Sequence, residues 1–92
     1  MKYIQGRLVF KGHVQGVGFR YFVLKKASQF DVTGFVKNLY PNGVEVLAEG
    51  EKAEVERFFQ EIRVGPVSAS IRDIVEEWFP YSGNYETFQV EY

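Results

Sequence analysis

The chain contains 92 residues, of which 46% are hydrophobic, with one His, no Cys and a formal net charge of −1. Without Cys it has no disulfide, thiolate nucleophile, zinc ribbon or iron–sulfur site, and one His cannot form a multi-histidine metal site. The near-zero charge argues against a broad nucleic-acid-binding surface. The start of the chain lacks a secretory h-region and no apolar run approaches ~18 residues, so we expect a cytoplasmic protein without membrane contact.

The first half of the chain predicts a strand, a loop, a helix and a second strand. Residues 7–11 alternate in polarity, as in a strand with one buried face, and the glycine-spaced residues 12–18 predict a loop. Residues 19–30 carry apolar side chains at helical spacing. Residues 32–37 alternate again and predict the second strand.

The second half of the chain predicts the remaining elements of one small fold. The alternation of the fourth strand slips between Ile71 and Ile74, which indicates a β-bulge. The predicted elements are a turn (40–43), a strand (44–49), a helix (51–63) ended by Gly65-Pro66, a strand (69–78), a loop (80–84) and a short last strand (88–90).

The order β-α-β-β-α-β predicts an α+β, ferredoxin-like sandwich. In this fold an antiparallel sheet carries both helices on one face, and here a short C-terminal strand follows. The length is typical of one compact domain, so we predict that residues 1–92 form a single domain. The fold serves many functions and by itself indicates none.

The loop between the first strand and the first helix is the most informative stretch, Gly12-His13-Val14-Gln15-Gly16-Val17-Gly18-Phe19-Arg20. Such a loop can turn backbone N–H groups toward one point, and a helix N-terminus adds its unpaired N–H groups and positive dipole end. Arg20 opposes that dipole unless an anion lies between them. The alternative is a merely tight turn with Arg20 solvated or paired to a carboxylate. The loop lacks the Walker A and dinucleotide-binding patterns.

Asn38 ends the second strand just before a turn and is the second candidate. An Asn at this position often caps its own turn, and the functional alternative is an amide that holds a water molecule. The only His, His13, is interpreted as a solvated loop residue. Residues 33–36 faintly resemble an RNA-binding strand motif but lack its basic and aromatic partners.

Most aromatic and acidic side chains are interpreted as structural. Phenylalanines at helical spacing predict core positions, namely Phe19, Phe22, Phe30, Phe58 and Phe59. Four glutamates predict a solvated face around the second helix, namely Glu49, Glu51, Glu54 and Glu56. No pair of carboxylates stands out as an acid/base couple.

The chain resembles the acylphosphatase family over nearly its whole length. The matching segments are Gly12-x-Val14-Gln15-Gly16-Val17-x-Phe19-Arg20, Gly34-x-Val36-Lys37-Asn38, Val44-Glu45-Val46, Gly50, Gly65-Pro66, Ala69-x-Ile71 and Phe88-x-Val90. The chain departs from the family pattern at Gly43, which comes one position later in its turn, and at Leu39, where many relatives carry Thr.

The resemblance implies a metal-independent hydrolase that converts acyl phosphates into a carboxylate and inorganic phosphate, without a cofactor. It assigns phosphoryl binding to Arg20 and positioning of the attacking water to Asn38. Backbone N–H groups would bind the phosphate oxygens, from Gln15, Gly16, Val17, Gly18, Phe19 and Arg20. Since Asn is neutral, we expect a phosphate oxygen of the substrate to take the proton of the water. The expected partner is a small-molecule acyl phosphate bound by a monomer, with no nucleic acid and no membrane.

Two alternatives to a free-standing acylphosphatase remain open on the sequence. One is a non-catalytic ferredoxin-like module that binds anions or a protein partner. The other is an acylphosphatase-like domain cut from a hydrogenase-maturation carbamoyltransferase. The start of the chain and its end after the last strand favour a free-standing protein.

Overall fold

The computed structural model describes residues 2–92 and contains every element that the sequence predicts. The first strand is longer than predicted, and the first helix ends earlier, at Ala27, before a tighter turn to Phe30. No helix among residues 2–92 is long and apolar enough to cross a membrane. The elements are β1 (Tyr3–His13), α1 (Phe19–Ala27), β2 (Thr33–Leu39), β3 (Gly43–Glu51), α2 (Lys52–Ile62), β4 (Ser70–Pro80) and β5 (Phe88–Glu91).

The strands form one sheet in the order β4-β1-β3-β2-β5. The first four strands pair antiparallel, as predicted, and this confirms the ferredoxin-like fold. The last strand pairs parallel with β2, which makes the sheet mixed. β4 and β2 run in opposite directions, and the short connection 81–87 reverses the chain between the two edges of the sheet. β5 therefore enters beside β2 in the same direction.

A β-bulge lies where the sequence predicts one. Lys11 pairs with Asp73 but Gly12 pairs with Ile71, so Arg72 is the additional residue of β4. A bulge of this kind bends the strand locally and increases its twist. The bend lies opposite the end of β1, where the glycine-spaced loop begins.

The core lies between the helices and one face of the sheet, and it holds both ends of the glycine-spaced loop. Val14 is fully buried at the start of the loop, and Phe19 is 2% exposed at its end. The rings of Phe19 and Phe10 lie 4.8 Å apart between centroids, so the first residue of α1 packs directly on β1. Of the phenylalanines predicted for the core, Phe22 and Phe30 are partly buried at its edge and the others are buried.

The prediction that Glu49 belongs to a solvated acidic face is wrong. Its side chain is only 1% exposed, on the sheet face opposite the helices, where the connection 81–87 crosses. The carboxylate accepts hydrogen bonds from Gln5 Nε2 (2.7 Å), Ser82 N (2.8 Å), Ser82 Oγ (2.6 Å) and Gly83 N (3.0 Å). Burial raises the pKa of Glu49, but these hydrogen bonds lower it by more, so its pKa lies below the ordinary value. Through hydrogen bonds to Ser82 and Gly83, Glu49 thus anchors the connection 81–87 that leads to β5.

We expect Glu49→Gln to lower the free energy of unfolding at pH 7 by about 2–3 kcal/mol, because hydrogen bonds to a charged acceptor are strong. Since the folded-state pKa is lowered, the contribution is complete above the unfolded-state pKa of about 4.3 and is lost as pH falls through the folded-state pKa. The difference between the variant and the wild type should therefore shrink in acid. Urea unfolding of both proteins at pH 7 and at several pH values below 5 measures this difference in the free energy of unfolding.

The matched control is Glu86→Gln, an exposed glutamate in the same connection. Surface substitutions of this kind change stability by about 0.5 kcal/mol or less. A Glu49→Gln protein as stable as the Glu86→Gln protein at pH 7 would contradict the role assigned to Glu49.

Candidate active site

A cleft of about 210 Å³ opens between the glycine-spaced loop, α1, the end of β2 and the end of the chain. Both of the side chains that the sequence analysis singled out, Arg20 and Asn38, line it. The complete lining is Val14, Gly16, Gly18, Phe19, Arg20, Tyr21, Asn38, Val90 and Tyr92. Among the side chains of these residues there is no carboxylate, imidazole, thiol or aliphatic hydroxyl.

Backbone conformation explains the two glycines at the floor of the cleft. Gly16 and Gly18 have φ angles of 74° and 78°, in the left-handed region that other residues rarely adopt. A Cβ atom at either position would meet nothing within 4 Å, so conformation rather than crowding requires glycine. The same open space leaves the backbone accessible to a ligand.

The N-terminus of α1 presents unpaired N–H groups beside these glycines. Gly18 is the N-cap residue and offers no side chain as a cap. The first helical hydrogen bond runs from Phe22 N to Gly18 O (2.9 Å), so the preceding N–H groups of the first turn have no acceptor within the helix. The first turn has no acidic residue, so the positive end of the helix dipole is not neutralised. An anion is the ligand that such an end favours.

Arg20 is partly buried in this first turn, and its guanidinium is available to a ligand. Within residues 2–92 it forms no ion pair with any carboxylate, so the alternative of a paired structural arginine does not apply. Its Cζ atom lies 5.0 Å from the ring centroid of Tyr92. The guanidinium therefore lies over an aromatic ring, and its N–H donors have no acceptor among residues 2–92.

Asn38 lies at the end of β2, with its side chain on the same sheet face as the buried Val36. Its side chain is exposed and, in the part of the chain that the structure describes, makes no hydrogen bond. The alternative that this Asn caps its own turn therefore finds no support. The amide is free to bind a water molecule or a ligand in the cleft.

The side chain of Gln15 ties the loop to the β2–β3 hairpin, a role that the sequence analysis missed. Its Nε2 atom donates to Leu39 O (2.8 Å) and to Gly43 O (2.9 Å). Leu39 directly follows Asn38, so these two bonds hold the glycine-spaced loop against the strand end that carries the amide. Leu39 and Gly43 are the two departures from the family pattern, and both take part through backbone carbonyls, which any residue supplies.

Two other predicted candidates lie outside the cleft. His13 is exposed at the end of β1 and does not line the cleft. Phe35, in the segment that faintly resembles an RNA-binding motif, is 8% exposed and packs against Tyr85 with ring centroids 5.9 Å apart. A buried ring cannot act as a stacking platform for bases.

Comparisons with known proteins identify the family of the chain. The sequence model of the acylphosphatase family matches residues 6–90. An acylphosphatase of Caldanaerobacter subterraneus subsp. tengcongensis is 40% identical over 79 residues, which cover 86% of this chain and 88% of that protein. The chain belongs to the acylphosphatase family. This membership confirms the family and the hydrolase class that the sequence motifs indicate.

Solved structures of other proteins share the fold described above. The crystal structure of acylphosphatase from Bacillus subtilis superimposes with a TM-score of 0.90 at 34% identity, covering 97% of this chain and 99% of that chain. T. kodakarensis HypF matches with a TM-score of 0.82 at 31% identity, covering 97% of this chain but 12% of that chain. The same fold therefore also occurs within a much longer protein.

Proposed function

We propose that this member of the acylphosphatase family hydrolyses acyl phosphates by direct attack of water on phosphorus. Arg20 binds the phosphoryl group, backbone N–H groups from Gln15 to Arg20 bind its oxygens, and Asn38 positions the water. The observation that carries the proposal is that one cleft brings together a helix N-terminus with free N–H groups and the side chains of Arg20 and Asn38, neither of which has a protein partner in the part of the chain that the structure describes. Arg20, Asn38 and the loop N–H groups that the proposed reaction requires all lie in a single copy of the chain, so the reaction needs no second copy and we propose that the protein acts as a monomer.

The chemistry of the substrate explains why so few groups suffice. An acyl phosphate is a mixed anhydride whose leaving group is a carboxylate. The conjugate acid has a pKa of about 4, so the leaving group departs without a general acid. The absence of carboxylate, imidazole and thiol side chains among the cleft residues described above is consistent with such a substrate.

Charge stabilisation and positioning supply the catalytic effect. The transition state of phosphoryl transfer is loose and spreads negative charge over the equatorial oxygens. The planar fork of Arg20 and the N–H groups of the loop are donors suited to these oxygens. Burial of Val14 and Phe19 holds the loop at both ends, so the donors are oriented before the substrate binds.

In the proposed reaction, the water oxygen forms a new bond to phosphorus while the bond from phosphorus to the acyl oxygen breaks. The electron pair of that bond leaves with the carboxylate. Asn38 accepts a hydrogen bond from the water but cannot take its proton, because an amide is not a base at neutral pH. The proton passes to an oxygen of the substrate phosphate, and the products are a carboxylate and dihydrogen phosphate.

We expect the purified protein to hydrolyse benzoyl phosphate at an undiminished rate in the presence of EDTA. Residues 2–92 contain no group of three or more His, Cys, Asp or Glu side chains that could hold a metal ion. In water labelled with oxygen-18, the label should enter inorganic phosphate rather than benzoate. Rapid-quench experiments should detect no covalent phosphoenzyme.

Inorganic phosphate separates this proposal from the non-catalytic alternative. An anion-binding module would be stabilised by phosphate against thermal unfolding but would show no turnover of benzoyl phosphate. Hydrolysis that EDTA abolishes and added metal restores would contradict the mechanism, as would label entering benzoate.

A further inference from the structure

We propose that Tyr21 contacts the acyl group of the substrate and favours acyl phosphates whose acyl group is uncharged and flat, such as an aromatic ring. This inference rests on the proposed function, because it takes the phosphoryl group to be bound by Arg20 and the glycine-spaced loop. Tyr21 is not among the residues through which the chain resembles its family. The structure makes it a candidate, because it follows Arg20 in the first turn of α1 and lines the cleft.

Packing in the core does not account for Tyr21. Phe19 and Val23 are the neighbouring residues of α1 that are buried in the core, whereas Tyr21 is 73% exposed. Within residues 2–92, the Tyr21 ring packs on no other aromatic ring and lies under no cationic side chain. A single exposed aromatic side chain is ordinary on a protein surface, but this one lies at the cleft. Its ring is therefore free to contact a ligand there.

The position of Tyr21 in the helix directs its side chain toward the glycine-spaced loop. Helical side chains tilt toward the helix N-terminus, so a residue of the first turn covers the surface just before the helix. Gly16 and Gly18 lie there, and a Cβ atom at either glycine would meet nothing within 4 Å. Tyr21 therefore borders the open space above the two glycines, where the phosphoryl group is proposed to bind.

The proposed reaction directs the acyl group toward the side of the cleft that α1 forms. The attacking and leaving oxygens of phosphoryl transfer lie roughly in line, on opposite sides of phosphorus. Asn38, which would hold the water, belongs to β2, and Val90 lines the cleft from the adjacent β5. The acyl group therefore extends away from these two strands, and Tyr21 is an exposed aromatic residue on the α1 side.

The lining of the cleft suits an acyl group that is uncharged. Arg20 is the one charged side chain among the lining residues, and the phosphoryl group occupies its donors. A second negative charge on the acyl group would therefore meet no cationic side chain in the cleft. An aromatic acyl group can instead pack against the Tyr21 ring in an offset or edge-to-face arrangement, whereas an acetyl group offers a single methyl group.

Substitutions at Tyr21 test this role through the choice between two substrates. Tyr21→Phe keeps the ring, Tyr21→Leu keeps apolar bulk without a flat ring, and Tyr21→Ser removes both. We expect Tyr21→Ser to lower the ratio of kcat/KM for benzoyl phosphate to kcat/KM for acetyl phosphate by about three- to tenfold. Tyr21→Phe should keep the wild-type ratio, and Tyr21→Leu should give an intermediate ratio. Steady-state kinetics with both substrates measures these ratios.

The matched control is Tyr40→Ser, because Tyr40 is 98% exposed but does not line the cleft. It should leave the substrate ratio unchanged. Inorganic phosphate lacks an acyl group, so Tyr21→Ser should change its inhibition constant by less than it changes the ratio. The proposal is wrong if Tyr21→Ser or Tyr21→Leu keeps the wild-type ratio, or if phosphate binding weakens in Tyr21→Ser as much as the ratio falls.

A binding measurement separates this inference from the proposed function. The phosphonate analogue of benzoyl phosphate, in which a methylene group replaces the bridging oxygen, resists hydrolysis. NMR of its complex with the wild type should show nuclear Overhauser contacts between the phenyl protons of the analogue and the ring protons of Tyr21. Absence of these contacts from the complex would overturn the inference while leaving acyl phosphate hydrolysis intact. Absence of hydrolysis of both substrates by the wild type would instead overturn the proposed function, whatever the contacts show.

Discussion

Replacing Arg20 with Ala is expected to lower kcat/KM for benzoyl phosphate by about a thousandfold or more, the size of effect reported for arginines that stabilise phosphoryl transfer. Inhibition by inorganic phosphate should be lost at the same time, because the same guanidinium binds the product. Arg20→Lys keeps the charge but loses the planar fork, so it should recover only a small part of the activity. Initial rates and phosphate inhibition constants measure both variants.

Stability provides a check on this prediction. Arg20 lies in the first turn of α1, where a cation opposes the helix dipole, and it has no ion-pair partner among residues 2–92. Its removal should therefore leave the melting temperature unchanged or raise it slightly. Arg72→Ala is the matched control, since Arg72 is exposed, carries the same charge and lies outside the cleft. An Arg20→Ala protein that is folded and as active as Arg72→Ala would refute the assignment of Arg20.

Replacing Asn38 with Ala is expected to lower kcat by about a hundredfold or more while leaving phosphate affinity within about threefold of the wild type. The separation of the two effects is expected because Asn38 is proposed to position the water and not the phosphoryl group. Asn38→Asp keeps the shape but adds a negative charge in the cleft, so it should also weaken phosphate binding. Steady-state kinetics and calorimetry with phosphate distinguish the two variants.

The control for Asn38 is Asn42→Ala, in the adjacent turn. Both side chains are exposed, and Asn42 does not line the cleft. Both substitutions should change the free energy of unfolding by about 0.5 kcal/mol or less. Equal loss of kcat and phosphate affinity in Asn38→Ala would indicate that the amide contacts the phosphoryl group directly, and the proposed division of roles would be wrong.

The family and the elements of the fold could be predicted because their signals are local. The helical spacing of Phe58, Phe59 and Ile62 indicates the buried face of α2. The slip in alternation between Ile71 and Ile74 indicates the β-bulge of β4. Arg20 places a cation in the first turn of a helix, where it opposes the helix dipole. This unfavourable position makes Arg20 a candidate site residue on the sequence alone. Its role and that of Asn38 stay predictions until the variants are measured.

Contacts between distant segments could not be predicted in this way. Gln15 donates to carbonyls 24 and 28 residues away, and Glu49 accepts from groups 33 and 34 residues away. Periodicity carries no information about such partners. Glu49 in particular has the sequence context of a solvated glutamate, and only the crossing of residues 81–87 over the sheet buries it.

The missing cysteines and the single histidine by themselves excluded a thiolate nucleophile and multi-histidine or cysteine metal sites, and the glycine spacing by itself made the loop before the first helix a candidate anion-binding site. The tertiary structure decided which groups meet at that loop. It brought Asn38 to the cleft through the pairing of β2, and Tyr92 through the parallel addition of β5. The physical reason is that backbone conformation depends on neighbouring residues, whereas the choice of sheet partners depends on how the whole chain buries its apolar faces.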